Sequence, residues 1–133
     1  MSAGSPTVSC AMENNKPNEV EAFVRMPDEA PLIAALVLDV GLLVPDSRNN
    51  SDLRIYECGR VALVVMPSED DFLSISLHGA TRWNSDVDFA RFVAGALDCQ
   101  VRCDPGSEFP EVSPYSNIFL NLQKGKETLV AWG

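Results

Sequence analysis

Basic residues are scarce in this chain, because ten Lys and Arg stand against nineteen Asp and Glu among 133 residues, a formal net charge of -9. The sequence pI is near 4.4. This shortage of bases argues against a nucleic-acid partner, since clustered negative charge repels phosphate. The same charge favours a basic protein partner, because it steers cationic surfaces toward the molecule.

Long apolar runs are also missing. None reaches the roughly 18 residues that a membrane-spanning helix needs, and the longest, residues 31–44, is interrupted by Asp39 and Gly41. The first 18 residues contain no basic segment followed by an apolar stretch, the pattern of a secretory signal. We therefore expect a cytoplasmic protein without a membrane partner. Residues 1–18 are predicted to form a disordered tail and residues 19–133 a single domain.

The chain lacks the short motifs that mark most metal proteins and enzymes. Its four cysteines include no CxxC pair, and His78 is its only histidine. Cys58, Cys99 and Cys103 with His78 supply four zinc-ligand types, but their spacing matches no zinc template, so the thiols are interpreted as small buried hydrophobes. No glycine-rich phosphate loop and no GxSxG turn is present. The sequence therefore predicts no catalytic residue, no metal and no cofactor.

The first half of the domain alternates between strand and helix patterns. Residues 19–26 alternate as a half-buried strand. A helix over 29–40 follows, with Asp28 as N-cap and Gly41 as C-cap. After a polar loop at 45–52, two apolar runs, 53–57 and 61–66, form a hairpin that turns at Gly59. The run VALVVM is continuous enough to predict a central strand buried on both faces.

The second half repeats this order. Residues 72–78 alternate as a strand, and Ser85 is the predicted N-cap of a helix ending near Asp98. A strand at 99–103, a proline-rich loop at 104–115 and a hairpin (118–123 with 128–132) complete the chain. The pattern predicts an α+β fold: a mostly antiparallel sheet with two helices packed on one face, in two strand-helix-hairpin halves.

Acidic residues occur in three clusters that we predict to bind a basic partner. The clusters are the turn Glu69, Asp70 and Asp71, the helix start Asp86 and Asp88, and the loop residues Asp104, Glu108 and Glu111. All of them except Asp104 are predicted contact residues. Asp70, Asp71, Asp86 and Asp88 are also the residue types that bind a divalent cation, but turn and N-cap roles explain them without a metal.

Three aromatic residues are candidate anchors for a partner. Trp83 follows Arg82 in a polar loop, and exposed Trp and Arg are enriched at interface hot spots. The alternative is that Trp83 folds back onto the helix start as a hydrophobic staple. Phe109 and Tyr115 alternate with acids in the long loop, which is typical of a contact surface. The alternative is that this loop packs Phe109 over an open sheet edge.

The part of the chain from Leu53 onward resembles the immunity proteins of bacterial contact-dependent and type VI toxin systems. The resemblance lies in SDVDFARFVAGALDCQVRCDPG and the final KETLVAWG, and it covers Leu53 to Gly133. It implies a non-enzymatic inhibitor that binds a cognate basic toxin one-to-one and blocks or distorts its active site. The acids would imitate a polyanionic substrate if the toxin is a nuclease.

Three other functions stand beside this hypothesis. The first is a small-molecule-binding or regulatory domain with a pocket lined by Phe72, Ser74, Ser76 and His78. The second is an enzyme that uses His78 with an acid or a cysteine. The third is a secretion chaperone or adaptor, which binds its client over extended apolar surface. The oligomeric state is left open.

Overall fold

The structure is a computed structural model that describes residues 19–133. The tail predicted for residues 1–18 lies outside the described residues. The described elements are, in chain order, β1 (Glu19–Arg25), α1 (Ala30–Val40), β2 (Val44–Pro45), β3 (Arg54–Cys58), β4 (Val61–Pro67), β5 (Phe72–His78), α2 (Asp86–Leu97), β6 (Val101–Cys103), β7 (Ile118–Gln123) and β8 (Lys126–Ala131).

The strands form one sheet in the order β2-β3-β4-β5-β1-β6-β7-β8. Every pairing is antiparallel. Side chains of both helices, including Leu36 and Phe89, join alternate strand residues such as Val24, Leu63 and Ile75 in one buried core. The predicted α+β fold, with an antiparallel sheet and two helices on one face, is confirmed.

Local sequence features determine where most of the helices and strands begin and end. The Ser85 hydroxyl accepts the Asp88 N–H at 3.1 Å and so caps α2. Gly41, with φ of 99°, ends α1, and Gly59, with φ of 56°, turns the β3–β4 hairpin. The N-cap of α1 differs from the prediction by one residue: Glu29 occupies it, while the Asp28 carboxylate accepts the Ala30 N–H at 2.9 Å.

Three strand predictions need correction. β4 lies inside the sheet, but Ala62 and Val64 are only half-buried because no helix covers that face. The polar loop begins after a short edge strand, since Val44 and Pro45 pair with β3. The second strand of the second half, β6, begins at residue 101 rather than 99.

The strand-helix-hairpin order recurs along the chain, but the two halves enter the sheet differently. In the first half the chain passes from α1 to the outer edge at β2 and returns inward to β4, beside β5. In the second half it passes from α2 to β6, beside β1, and continues outward to β8. The repeat is therefore one of element order and not of sheet topology.

The sheet is strongly curled toward its helix-free face. Trp132 directly follows β8, yet its ring centroid lies 4.9 Å from that of Phe72 at the start of β5. Strands β1, β6 and β7 separate β5 from β8, so a flat sheet would place the two strands about 19 Å apart. The twist therefore brings two distant corners together and makes the helix-free face concave.

Trp132 fills this concave face. Its ring packs edge-on against Phe23 at 5.1 Å and Phe119 at 5.3 Å, between ring centroids. The Arg102 guanidinium lies 5.0 Å from the Trp132 ring centroid, within cation–π distance. The indole N–H donates to Asp70 Oδ2 at 2.7 Å. The end of the last hairpin is thereby tied to the turn before β5.

A buried carboxylate connects α1 to β3. Glu29 is 4% exposed and accepts hydrogen bonds from Arg54 Nε at 2.6 Å and Tyr56 Oη at 2.7 Å. Burial raises the pKa of Glu29, but these hydrogen bonds outweigh burial and hold it below the ordinary value. Burial and the hydrogen bond to Glu29 raise the pKa of Tyr56 to about 12. Glu29 and Arg54 therefore stay ionised at neutral pH, Tyr56 stays neutral, and their hydrogen bonds fix the start of α1.

Candidate functional site

Four acidic residues lie near one another at one end of the molecule, and we call this group the acidic edge: Glu19 and Glu21 of β1, Asp86 at the start of α2, and Asp104 after β6. β1 pairs with β6 only at Phe23 and Val24. The Glu21 N–H, beyond that pairing, donates to Asp86 Oδ1 at 2.9 Å. Asp104 Oδ1 accepts the Gly106 N–H at 2.8 Å. Backbone amides therefore hold the carboxylates of Asp86 and Asp104, whereas the Glu21 carboxylate accepts the Ser74 hydroxyl at 3.2 Å.

The acidic edge carries unrelieved repulsion. Burial raises the pKa of Asp86, and the neighbouring Glu21, Asp104 and Glu19 add to the increase, against the hydrogen bond from the Glu21 amide. Within residues 19–133, no Lys or Arg forms an ion pair with any of the four. Glu19 faces His78 at 3.8 Å. An approaching cation would relieve a repulsion that folding leaves in place.

We expect Asp86→Asn to raise the free energy of unfolding at pH 7. The folded-state pKa of Asp86 lies above its reference value of 3.8, so its ionisation costs stability above the folded pKa, and this cost disappears below 3.8. Asn keeps the oxygen that accepts the Glu21 amide. The gain is expected to be small, because the N-terminal dipole of α2 favours a carboxylate by about 0.3–1 kcal/mol. Urea unfolding at pH 7 and pH 3 tests this: the difference between the two proteins should vanish at pH 3, and equal stability at both pH values would contradict it.

Two of the predicted acidic clusters join this end of the molecule. Asp88 is exposed in the first turn of α2. Glu108 lines a cleft of about 250 Å³ together with Asp86 and Asp104. Its charge is compensated, however, because Arg91 lies 3.1 Å from it and 2.9 Å from Glu127. Asp88 is therefore the freer of the two charges.

The proline-rich loop presents one highly exposed aromatic ring. Tyr115 is 97% exposed, and Glu111 is exposed in the same loop. Phe109 is half-buried and packs against the core, so the packing interpretation holds for this residue. Of the two loop aromatics, Tyr115 is the one whose ring is open to a partner.

The Glu69–Asp71 turn lies apart from the acidic edge. It precedes β5, whereas Glu19 pairs with His78 at the other end of that strand, about 20 Å away at the usual rise per residue. Asp70 and Asp71 have φ of 58° and 66°. Because Asp70 accepts the Trp132 indole N–H, its carboxylate has a structural partner.

The structure corrects the prediction that Trp83 is an exposed anchor. Trp83 is 2% exposed, and its ring centroid lies 5.3 Å from that of Phe89 and 4.8 Å from that of Phe92, both on α2. The Arg82 guanidinium covers its other side, 4.6 Å from the ring centroid. The alternative interpretation, packing against the start of the helix, is confirmed.

The pocket residues suggested on β5 share the helix-free face, but Phe72, Ser74 and Ser76 are buried there. Ser76 Oγ lies 3.2 Å from His78 Nε2, and His78 Nδ1 lies 3.8 Å from Glu19 Oε1. This order of groups resembles a nucleophile, base and orienting acid. β5 is paired on both sides, so the backbone amides around Ser76 are directed into the sheet and are not free to serve as oxyanion donors.

Comparison with known proteins adds no relative: no family model, no curated protein and no solved structure matches this chain. In the described part of the chain, no helix is long and apolar enough to span a membrane. Residues 19–133 also contain no group of three or more His, Cys, Asp or Glu side chains arranged to hold a metal ion.

The sequence analysis missed Glu19 and Glu21 as members of a charged site, and it counted Asp104 in an acidic loop cluster without predicting it as a contact residue. Glu19 and Glu21 alternate with apolar residues, a pattern that predicts only the solvent-facing side of an ordinary strand. The β1–β6 register, in which Phe23 pairs with Arg102, places Asp104 opposite Glu21. A pairing between strands so distant in sequence leaves no local signal.

Proposed function

We propose that this protein is a non-enzymatic inhibitor that binds and neutralises a basic toxin in the bacterial cytoplasm, as an immunity protein does. The acidic edge, extended by Asp88, is the proposed contact for the cationic surface of the toxin. Tyr115 of the neighbouring loop is the proposed anchor, since large, rigid aromatic rings dominate the binding energy of protein interfaces.

The grouping at the acidic edge carries the proposal: Glu21, Asp104 and Glu19 lie near enough to Asp86 to disfavour its charge, and no Lys or Arg of residues 19–133 pairs with any of the four. Like charges held close cost stability, and groups kept at such a cost are typical of functional sites. The exposed ring of Tyr115 is an independent observation in its support, because nothing in the described fold covers it.

The proposed mechanism divides binding into two steps. The net charge of -9 draws a basic protein to the surface, and the acidic edge orients it. Tyr115 and the apolar part of its loop then exclude water at the contact. Charge governs the association rate in such interfaces, whereas buried contacts govern dissociation.

The test begins with capture of the toxin by the full-length protein in low salt, followed by stopped-flow association of the pair. We expect Glu19→Lys/Asp88→Lys to slow association by at least about tenfold in low salt, with the effect shrinking as salt rises, because steering raises on-rates by about 10–1,000-fold. Tyr115→Ala should mainly speed dissociation.

The matched control is Asp52→Lys/Glu57→Lys, which makes the same change in net charge at exposed acids of β3 and the loop before it. It should slow association much less. Equal slowing by the two double variants would leave net charge as the only determinant and contradict the assignment to the acidic edge. Failure to retain any basic protein in low salt would overturn the proposal.

A further inference from the structure

A second cleft lies on the helix side of the molecule, between the end of α1, the β3–β4 turn and the loop from β5 to α2. It measures about 490 Å³, and its lining includes Cys58, Arg60, Thr81, Arg82 and Trp83. The acidic edge, Asp88 and Tyr115 do not line this cleft, so the inference is independent of the inhibitor function.

Two buried polar atoms of residues that line this cleft lack a hydrogen-bond partner. Trp83 Nε1 and Thr81 Oγ1 are both inaccessible to solvent, and neither bonds to any residue of 19–133. Leaving a buried donor unpaired costs about 1–3 kcal/mol, so native proteins satisfy nearly all such groups. An indole N–H only donates, and it therefore requires an acceptor atom from outside the described fold.

The charges around the cleft favour an anionic acceptor. Asp39 is the acid in the lining, and Arg82 already pairs with both of its oxygens, at 2.7 and 3.4 Å. Arg60 is exposed and forms no ion pair within the described residues. One guanidinium is thus left uncompensated beside two unpaired polar groups, in a protein that is otherwise strongly acidic.

The backbone holds the cleft in a fixed shape. Gly79 has φ of 118°, and a Cβ atom there would lie 2.2 Å from the Arg60 carbonyl oxygen. The β5–α2 loop therefore approaches the β3–β4 turn as closely as only glycine permits. Trp83 is itself clamped between Arg82 and the rings of α2. The two donor residues are therefore held in place, and a ligand must displace the side chains that close these two atoms off from solvent.

We propose that this cleft binds a small oxyanion, the carboxylate or phosphate group of a small molecule. Trp83 Nε1 and the Thr81 hydroxyl donate to its oxygens, and Arg60 supplies the opposite charge. Arg82 positions Trp83 by stacking on its ring.

The two indole N–H signals of the ¹⁵N-labelled full-length protein provide the test, assigned with Trp132→Phe. Sodium acetate and inorganic phosphate are titrated separately, against sodium chloride at equal ionic strength. We expect a saturable shift of the Trp83 signal with at least one of the two anions, and an unmoved Trp132 signal. Saturation by acetate alone or by phosphate alone supports the site and assigns the chemistry of the bound group.

Two variants extend the test. Arg60→Gln should weaken binding at least about tenfold, because hydrogen bonds to a charged group are worth about 1.5–3 kcal/mol. Thr81→Val removes one hydroxyl at nearly constant shape and should also weaken it. The proposal is overturned if no saturable shift occurs below about 100 mM anion, far weaker than a millimolar Kd. It is likewise overturned if sodium chloride reproduces the shift or if Arg60→Gln binds as tightly as wild type.

Discussion

Replacing Arg54 by methionine is expected to lower the free energy of unfolding by about 3–5 kcal/mol, because it leaves the buried Glu29 carboxylate without its charged partner. Tyr56 would remain as a neutral donor, and one hydrogen bond cannot offset the desolvation of a charge. Urea unfolding followed by circular dichroism measures the loss.

The control is the same substitution at an exposed ion pair. Arg48 contacts Asp46 at 3.0 Å, but its side chain is 86% exposed. Exposed pairs contribute at most about 1 kcal/mol, so Arg48→Met should change stability little. Similar losses in the two variants would show that burial of Glu29 is not the cause. The double change Glu29→Met/Arg54→Met should recover much of the loss, because it leaves no charge buried.

The same variant should reverse the pH dependence that Glu29 contributes. In the wild type the folded-state pKa lies below the reference value of 4.5, so Glu29 stabilises the fold above that pH and the contribution is lost as pH falls through the folded pKa. Without Arg54, burial dominates and raises the folded pKa. The difference in stability between wild type and Arg54→Met should therefore widen as pH rises above 4.5. A constant difference from pH 3 to 7 would contradict this interpretation.

Removing the Trp132 side chain is the second large expected effect. Trp132→Ala should cost about 2–3 kcal/mol, below the roughly 3–5 kcal/mol for a fully buried aromatic, because the ring is half-buried. The loss includes its contacts with Phe23, Phe72 and Phe119 and the hydrogen bond to Asp70. Hydrogen exchange should rise most in β7 and β8, since Trp132 ties their end to the turn before β5.

Two controls separate the contributions. Leu129→Ala truncates a residue of the same edge strand that is 40% exposed, and it should cost less than about 1 kcal/mol. Trp132→Phe keeps an aromatic ring but loses the indole N–H, so it should lie between wild type and Trp132→Ala. If hydrogen exchange in β7 and β8 is unchanged in Trp132→Ala, the contacts of Trp132 with Asp70 and Phe72 do not stabilise the hairpin.

The proposed sites differ in how far the sequence could predict them. Asp86, Asp88 and Glu108 follow from local charge clusters, and the structure brings them to one end of the molecule. Their neighbours Glu19 and Glu21 lie more than 60 residues earlier and join them through the Glu21 amide and Asp86. The oxyanion cleft depends on Trp83 being buried, which the local sequence leaves as one of two alternatives.

Most helices, strands and turns of this protein follow from its local sequence, since a cap, a turn or a face depends on residues a few positions apart. Ser85 starts α2, Gly41 ends α1, Gly59 turns a hairpin, and alternation along β1 and β5 marks their buried faces. Only the tertiary structure decided the strand order, the curl that places Trp132 over Phe72, and the meeting of Glu29 with Arg54. These depend on the packing and twist of segments distant in the chain, and their free energy is gained only when the whole sheet has formed.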